Sequence, residues 1–437
     1  MAKTIRVEII AVGSELLSPH YLDTNSLYLT RIMNELGLPV VRKTIVGDDA
    51  ASLSGCFRDA LKRADLILVS GGLGPTEDDR TREVWARVLN RPLVFQPAVY
   101  ERIRRRFRRR GLTPTTSNRK QAYVLKGARI LPNKNGTAPG LWIEATGRTV
   151  ILLPGPPAEL KPMVQDLVWP RLQRRRRGFY VRRVLKLTGL GESVLENEIV
   201  DLYPKDAALS VTTLASPGQL EIHIYGWSDK GRSALAGKAH RLEKAFAERL
   251  GDFIFSRNEE SLEEVVADLL ASRGKTVATA ESCSGGLLSH RLTNVPGSSA
   301  FFLEGVVAYA DQAKTERLGV PAPLIHQYGA VSAHVARAMA ESVRRRSRAH
   351  FGLAVTGIAG PGGRTPTKPV GLVYTALAWD NGTQIEKNLF PGARDAVKFQ
   401  SSQKALDMLR RHLLLARAKP ARPPRNRARR TLKGHRP

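Results

Sequence analysis

Segments that read as buried β-strands alternate with amphipathic helices in two parts of this chain, and this alternation constrains the fold more than any other feature. Residues 5–12 (IRVEIIAV), 40–47 (VVRKTIVG) and 66–70 (LILVS) are apolar enough for strands, and a helical segment follows each of the first two. Helices between strands make the strands parallel and cover both faces of the sheet. The pattern returns after residue 257. We therefore predict an α/β fold with two α/β/α domains whose sheets are mostly parallel.

The segment between these two regions has a different sequence pattern, because its predicted strands are not followed by glycine-rich turns. It predicts a small α+β middle domain that joins the other two. The predicted domains are residues 1–175, 176–256 and 257–416. Residues 417–437 contain four prolines and no acidic side chain, so we predict a disordered basic tail there.

The formal net charge of +29 suggests a nucleic-acid function, since clustered Arg and Lys side chains neutralise phosphates. Arginines cluster at 102–110, 171–177 and 344–348 and in the tail. Apart from Phe107, these clusters lack aromatic residues that could stack on bases. We interpret the first three as solvated helix faces and linkers, and expect any contact with nucleic acid to be made through the tail.

The chain contains only two cysteines, Cys56 and Cys283, which are far apart and lie in apolar segments. This argues for a reducing compartment and against a disulfide or a thiolate metal site. No apolar segment approaches the length that spans a bilayer, and the N-terminal MAKTIRVEII does not read as a signal peptide. We predict a cytoplasmic protein without a membrane partner.

Ligands of open parallel sheets bind beyond the carboxyl ends of the strands, where turns expose backbone amides. Glycine-rich turns follow five predicted strands, at residues 12–17, 70–79, 154–160, 281–286 and 356–363. Each turn alone is weak evidence, because glycine after a strand commonly serves a tight turn. Together they mark the candidate sites, and Gly155 in the third turn is one candidate phosphate-binding residue.

The turn SGGLGPTEDD (70–79) combines glycines with carboxylates. Gly71, Gly72 and Gly74 would let the backbone approach a phosphate, while Asp78 and Asp79 would hold a divalent cation against it. The alternative is an acidic helix N-terminus that only complements the helix dipole. The residues by themselves favour neither interpretation.

The turn ESCSGG (281–286) places Ser282 and Cys283 at the start of a helix, where the dipole favours an oxyanion or a thiolate. A serine hydroxyl needs a base before it attacks, and the next strand is followed by Tyr309 and Lys314. A desolvated lysine could serve as that base, with the tyrosine as relay. The alternatives are packing roles for Cys283 and Tyr309 and a solvated charge for Lys314.

The motifs, taken in order, resemble those of one known family. They include AVGSELL, SGGLGPTEDDRTRE, LLPGPPAEL, ATAESCSGG, GVVAYADQAK and TGIAGPGGRTPTKPVGLVY, and they run in family order from residue 5 to about residue 412. The chain resembles full-length members of the competence/damage-inducible CinA family.

The resemblance implies two hydrolytic activities in the recycling of pyridine nucleotides. The first domain is similar to the molybdopterin-binding fold, which in this family is associated with metal-dependent hydrolysis of ADP-ribose to AMP and ribose 5-phosphate. The third domain resembles amidases that convert nicotinamide mononucleotide to nicotinic acid mononucleotide and ammonia, for which no cofactor is required. A homodimer is also implied.

The family's catalytic serine, tyrosine and lysine correspond to Ser282, Tyr309 and Lys314. In this hypothesis two further groups of residues bind the substrate through their backbone amides. The expected oxyanion donors are Ser284, Gly285 and Gly286, and the expected phosphate loop contains Thr356, Gly357, Gly360, Gly362 and Gly363.

The chain departs from the family pattern beside the catalytic tyrosine. It has YAD where the family usually has YSN, so Ala310 and Asp311 replace a hydroxyl and an amide. The negative charge of Asp311 would favour the protonated form of Lys314 and weaken it as a base. We expect a lower rate rather than a different reaction.

Two functions of other classes remain as alternatives. The arginine clusters and the tail are compatible with a protein associated with nucleic acid, although no motif that reads DNA is recognisable. A module that binds a nucleotide or a pterin without catalysis is the second, because a fold does not fix a function.

Overall fold

The computed structural model describes residues 5–174, 178–205, 208–229 and 231–415. The described residues form two compact units. The first unit holds residues 5–174 and 178–182 with 208–210, 225–229 and 231–240, and the second holds 183–205, 211–224 and 241–415. The predicted tail, residues 417–437, lies outside the described residues, and the predicted domain boundaries stay predictions.

The first unit is built on a six-stranded sheet. In chain order, its elements up to residue 173 are β1 (Val7–Val12), α1 (Thr24–Glu35), β2 (Val40–Val46), α2 (Ala50–Arg63), β3 (Leu66–Ser70), α3 (Thr81–Val88), β4 (Leu93–Phe95), α4 (Pro97–Arg108), β5 (Tyr123–Leu125), β6 (Arg129–Leu131), β7 (Gly140–Ala145), β8 (Arg148–Leu153), α5 (Pro157–Met163) and α6 (Trp169–Gln173). The strand order is β2-β1-β3-β8-β7-β6. The first four strands are parallel, whereas β7 and β6 are antiparallel.

Local sequence explains where the first helices begin. Asp23 caps α1 by accepting a hydrogen bond from the Ser26 amide at 2.9 Å. Asp49 caps α2 in the same way through the Ser52 amide at 2.8 Å. A capping carboxylate satisfies a backbone donor that the helix itself leaves unpaired, so each helix begins at the residue after its aspartate.

Helices bury apolar side chains on both faces of this sheet. On one face Phe57 of α2 stacks on Trp85 of α3, with ring centroids 4.4 Å apart. On the other face Leu29 and Met33 of α1 pack against strand residues such as Ile9. Strands β1, β3 and β8 of the parallel part are therefore covered on both sides, whereas the edge strand β2 is partly exposed, and the predicted α/β/α arrangement is confirmed.

The remaining residues form two further sheets. The first contains β9 (Phe179–Leu187), β10 (Leu209–Ser216), β11 (Gln219–Ser228) and β12 (Ile254–Ser256) in the order β10-β11-β9-β12, and its helices are α7 (Glu192–Ile199) and α8 (Arg232–Leu250). β12 pairs antiparallel with β9. This segment is the α+β region that the sequence predicts between the two parallel sheets.

The last sheet has five strands in the order β14-β13-β15-β16-β17. Its elements are α9 (Leu262–Ala271), β13 (Val277–Glu281), α10 (Leu287–Thr293), β14 (Phe302–Val307), α11 (Asp311–Leu318), α12 (Ala322–Tyr328), α13 (Ala333–Ser347), β15 (Phe351–Gly357), β16 (Leu372–Trp379), β17 (Gly382–Leu389) and α14 (Arg394–Leu415). β14, β13 and β15 are parallel, and β16 and β17 are antiparallel. The carboxyl ends of the three parallel strands therefore share one edge.

Within the described part of the chain, no helix combines the length and the apolar character needed to cross a membrane.

A buried ion pair ties α2 to the first sheet. Glu8 in β1 is fully buried, and both its oxygens accept hydrogen bonds of 2.8 Å from the guanidinium of Arg63. Thr44 on β2 donates a third hydrogen bond to the same carboxylate at 3.3 Å. A carboxylate inside a sheet needs such partners, because an unpaired buried charge is strongly destabilising.

Replacing Arg63 by Met should destabilise the protein, because Glu8 would remain buried without its cation. We expect a loss of about 2 to 3 kcal/mol in the free energy of unfolding, reduced from the fully buried case because Arg63 is partly exposed. Urea unfolding, followed by tryptophan fluorescence, measures this loss. Arg58→Met on the same helix, at an exposed position, is the matched control, and an equal loss in both variants would contradict the role of the pair.

Candidate functional site

The carboxyl edge of the last sheet brings three predicted segments together. Ser282 follows β13 directly, and its amide donates to the carbonyl of Val355 on β15 at 2.9 Å. On the other side, the amide of Ala308 after β14 donates to the carbonyl of Glu281 at 2.8 Å. Ser282, the residues around Tyr309 and the loop that starts at 356 thus begin side by side at one sheet edge.

The neighbouring Ser282 and Cys283 have different surroundings. Cys283 packs in the apolar core of the last sheet and is 4% exposed. Burial raises the pKa of its thiol to about 12, so it stays protonated at neutral pH and lacks the thiolate that a nucleophile needs. Ser282 is also buried, with 8% exposed, but a serine hydroxyl is activated by a neighbouring base and does not have to ionise beforehand. These surroundings favour Ser282 over Cys283 as the nucleophile.

Glu281, which the sequence analysis did not single out, shapes the turn around Ser282. Its carboxylate is fully buried and accepts hydrogen bonds from the amides of Gly286, Leu288 and Ser289 at 3.0, 3.0 and 2.7 Å. The Ser289 hydroxyl adds a fourth at 2.5 Å. The first amides of α10 are therefore satisfied internally, as at a helix N-terminus with a capping acid.

This arrangement corrects part of the expected oxyanion site. The Gly286 amide is bound to Glu281, and the Gly285 amide donates to the carbonyl of Ser282 at 3.1 Å. Both amides are committed inside the turn, so they are not the donors that the sequence predicts. The Ser284 amide is the only one of the three predicted donors that we retain. The periodicity of the sequence does not predict these hydrogen bonds, because it does not distinguish a buried Glu at a strand end from any other polar residue.

Lys314 on α11 is buried, with 1% of its surface exposed. Its ammonium donates to the carbonyl of Tyr309 at 2.9 Å and lies 3.4 Å from a carboxylate oxygen of Asp311. The expected contact between Asp311 and the lysine is therefore present. Among the described residues, no hydrogen bond joins the Ser282 hydroxyl to Lys314 or Tyr309. Catalytic hydrogen bonds are often loose until substrate binds, and the triad stays a prediction.

Arg394, at the start of α14, links two parts of the site. One of its nitrogens donates to the Tyr309 hydroxyl at 2.8 Å, and another donates to the carbonyl of Gly360 at 2.7 Å. The hydrogen bond to the phenol raises the pKa of Arg394. Sequence reasoning missed this residue because it lies 85 positions from Tyr309, and only the fold brings the two together.

The predicted phosphate loop divides into a buried and an exposed half. Thr356 is fully buried and donates to the carbonyl of Ala330 at 2.9 Å, while Gly357 still belongs to β15. Gly360 is buried beside Arg394, whereas Gly362 and Gly363 are exposed. The first half therefore shapes the sheet edge, and only the second half is accessible from solvent.

A second candidate site lies in the first unit. Its cavity has a volume of about 360 Å³. The predicted residues Gly71, Gly72, Gly74, Asp78, Asp79 and Gly155 all line it. A side chain on Gly71 would bring its Cβ within 2.1 Å of the carbonyl of Val12, so only glycine fits there. The structure thus brings together two turns that are far apart in sequence.

Asp79 has a structural function within this loop. Its carboxylate accepts hydrogen bonds from the amide of Gly74 at 2.7 Å and from the amide and hydroxyl of Thr76 at 2.9 and 2.5 Å. Asp78 is exposed, and the nearby Thr76 hydroxyl lowers the pKa of its carboxyl. Asp79 therefore shapes the glycine loop, a function that the sequence did not separate from metal binding.

The predicted metal-binding residues Asp78 and Asp79 do not belong to a cluster of three or more ligands within the described part of the chain. Three further carboxylates, which sequence reasoning did not assign, line the cavity on other loops: Glu15, Asp48 and Glu159. Even so, no three His, Cys, Asp or Glu side chains of the described residues are placed to hold one ion. Two of these acids lie in or next to the turns at 12–17 and 154–160, so the turns gave the only sequence signal. The metal site stays a prediction.

Comparison with known protein families matches almost the whole described chain. Residues 8–174 match a model described as a probable molybdopterin binding domain, and residues 259–413 match the CinA C-terminal domain. Residues 182–256 match the KH domain of damage-inducible protein CinA, a similarity that the sequence analysis did not identify.

Full-length relatives agree with these matches. A CinA-like protein of Koribacter versatilis is 44% identical over 416 residues, which are 93% of this chain and 99% of that protein. Another, from Acidobacterium capsulatum, is 44% identical over 412 residues, with 93% and 99% covered. A crystal structure of a competence/damage inducible protein from Agrobacterium tumefaciens is 39% identical, covers 36% of this chain and 97% of its own, and has a TM-score of 0.34. By its relatives and its matched domains, the chain belongs to the CinA family.

Proposed function

We propose that the region from residue 257 to 416 hydrolyses the carboxamide of nicotinamide mononucleotide, giving nicotinic acid mononucleotide and ammonia. The observation that carries the proposal is the position of Ser282 at the shared edge of three parallel strands, next to the ends of β14 and β15, which lead to Tyr309 and to the glycine loop. The buried thiol of Cys283 supports the serine as nucleophile. This sheet edge is where α/β folds bind mononucleotides.

In the proposed reaction the Ser282 oxygen attacks the carboxamide carbon, and its proton passes to Lys314 in its neutral form. The tetrahedral intermediate carries a negative oxygen that the Ser284 amide stabilises. Lys314 then returns the proton to the leaving nitrogen, and ammonia departs from an acyl-serine ester. Water hydrolyses the ester to release the acid and restore the serine. These steps need no metal ion.

The phosphate of the substrate is assigned to the exposed half of the loop, at Gly362 and Gly363. Backbone amides of a glycine loop can approach phosphate oxygens closely. Arg394 adds a fixed positive charge, since its guanidinium is already held by Tyr309 and Gly360. In this proposal the arginine also orients the tyrosine that relays the proton.

Replacing Ser282 by Ala should abolish ammonia release from nicotinamide mononucleotide, because the nucleophilic oxygen is lost. We expect kcat to fall by at least about 1,000-fold. Cys283→Ala is the matched control at the adjacent position and should retain most of the activity. Ammonia and the acid product are measured without added metal, and unfolding temperatures check that both variants fold.

The opposite pattern, with activity lost in Cys283→Ala and kept in Ser282→Ala, would contradict the assignment of the nucleophile. Binding of nicotinamide mononucleotide to the wild type without any release of ammonia would instead identify a non-catalytic binding module.

Replacing Asp311 by Asn should speed the reaction at neutral pH. The carboxylate of Asp311 lies 3.4 Å from the Lys314 nitrogen, and losing this ion pair should free the amine to contact the Ser282 hydroxyl. Because Asp311 is largely exposed, we expect an increase of about two- to fivefold. The measurement is kcat/KM at neutral pH.

Glu316→Gln is the matched control for Asp311→Asn. It removes one negative charge from the same helix, and Glu316 bonds to Gln312 rather than to the lysine. If both variants raise kcat/KM equally, the effect belongs to the general charge of the helix and not to the contact with Lys314.

We propose a second activity for the first unit, the hydrolysis of ADP-ribose to AMP and ribose 5-phosphate. The supporting observation is the cavity that Gly71, Gly72, Gly74 and Gly155 line, whose loops suit a diphosphate. Five carboxylates also line the cavity, so a diphosphate there would require a counter-cation. No step is assigned to a metal ion, because the acids are not clustered around one position.

Asp78→Asn and Asp79→Asn should separate a catalytic from a structural acid in this cavity. Asp79→Asn should lower the unfolding temperature, because an amide is a poorer acceptor for the loop amides than a carboxylate. Asp78→Asn should leave stability unchanged and reduce AMP release from ADP-ribose. AMP is quantified with added Mg²⁺ and with excess chelator, and hydrolysis that is insensitive to the chelator would contradict the predicted metal dependence.

A further inference from the structure

The arginine run at 102–110 is not one uniformly solvated face. Two of its seven arginines, Arg104 and Arg108, form ion pairs with Glu101 on the same helix. The other five line a cavity of about 370 Å³ in the first unit: Arg102, Arg105, Arg106, Arg109 and Arg110. The arginines of α4 and of the turn that follows it therefore fall into two groups, one in ion pairs with Glu101 and one that lines the cavity.

The cavity lining is strongly cationic. Lys134 adds a sixth basic side chain, and it forms an ion pair with Asp166 at 2.7 Å. Among the described residues that line the cavity there is no Asp, no Glu and no aromatic side chain. Cations near a helix C-terminus are favoured by the helix dipole, but that effect accounts for one or two charges, not for five around one cavity.

One of these arginines is held in place. Arg106 donates a hydrogen bond of 3.0 Å to the carbonyl of Lys134 and another hydrogen bond to the carbonyl of Asn135. The loop that contains these carbonyls is itself fixed, because Asn133 accepts hydrogen bonds from the amides of Asn135 and Gly136 at 3.0 and 2.7 Å. Opposite the helix, the cavity is thus lined by a turn whose backbone is held by its own hydrogen bonds.

We propose that this arginine cavity binds a compact anion with several phosphate groups, such as inorganic tripolyphosphate or the triphosphate of a nucleotide. The volume suits a small ligand, and guanidinium groups bind phosphate oxygens through paired, charge-assisted hydrogen bonds. A bound polyanion also relieves the repulsion among five neighbouring cations. The lack of aromatic side chains argues against a single-stranded nucleic acid, whose bases would find no stacking partner.

The cavity adjoins the glycine-loop cavity of the same unit. Thr137 lines both cavities, and Asn133 of the arginine cavity donates a hydrogen bond of 2.7 Å to Glu159 of the other. An anion bound among the arginines therefore contacts the loop that also shapes the neighbouring site. The proposal rests on this geometry and does not depend on the amidase or on ADP-ribose hydrolysis.

Isothermal titration calorimetry of the full-length protein with tripolyphosphate, at physiological ionic strength, tests the proposal. The double variant Arg105→Gln/Arg109→Gln removes two charges from the cavity. The matched control Arg104→Gln/Arg108→Gln removes two charges from the same helix segment outside it. We expect the cavity variant to bind at least about tenfold more weakly than the wild type, and the control to stay within about twofold. All variants keep the basic tail, so its contribution cancels.

Repeating the titration with ATP and with adenosine distinguishes a cavity that recognises any chain of phosphate groups from one that recognises a nucleotide. Binding of both ATP and tripolyphosphate, but not of adenosine, supports recognition of phosphate groups alone, and binding of ATP only narrows the ligand to a nucleotide. Equal weakening in the two double variants, or no binding by the wild type, overturns the proposal. An oligonucleotide that binds through Arg105 and Arg109 while tripolyphosphate does not would also overturn it, in favour of nucleic acid.

Discussion

The candidate amidase site depends on one buried carboxylate. Glu281 is the last residue of β13. Its carboxylate oxygens accept hydrogen bonds from the amides of Gly286, Leu288 and Ser289, which α10 itself leaves unpaired. These hydrogen bonds fix the turn in which Ser282 lies at the sheet edge and Cys283 packs in the core. Without them the desolvated backbone donors would have no partners, and the position of the serine would not be defined. The segment that leads to Tyr309 and the loop that starts at 356 begin at the same sheet edge as the serine in this turn.

Asp79 has the same function in the glycine loop of the first unit. It accepts hydrogen bonds from the amides of Gly74 and Thr76, so the loop that lines the second cavity is also held by hydrogen bonds to a carboxylate. In both units a carboxylate inside a glycine-rich turn supplies charge-assisted hydrogen bonds that the glycines, without side chains, cannot make. Such an acid is easily taken for a metal ligand in the sequence, because both functions place a carboxylate next to a phosphate-binding turn.

The positive charge of the chain has more than one structural role. Some arginines are held by buried acids, as Arg63 is by Glu8, and one links the tyrosine to the glycine loop, as Arg394 does. The run at 102–110 is divided between ion pairs with Glu101 and the lining of a cavity. A net charge of +29 by itself indicates only an affinity for anions, whereas the fold decides which cations are neutralised and which converge.

The sequence by itself determined the alternation of strands and helices, the family, and the turns that line both candidate sites. These features are local or carried by ordered motifs, so periodicity and turn residues suffice to find them. Only the tertiary structure decided that the Gly285 and Gly286 amides are already bonded, that Asp79 serves its own loop, and that Arg394 reaches Tyr309. Which donors are satisfied and which distant side chains meet depends on contacts across the fold, and local sequence patterns do not encode those contacts.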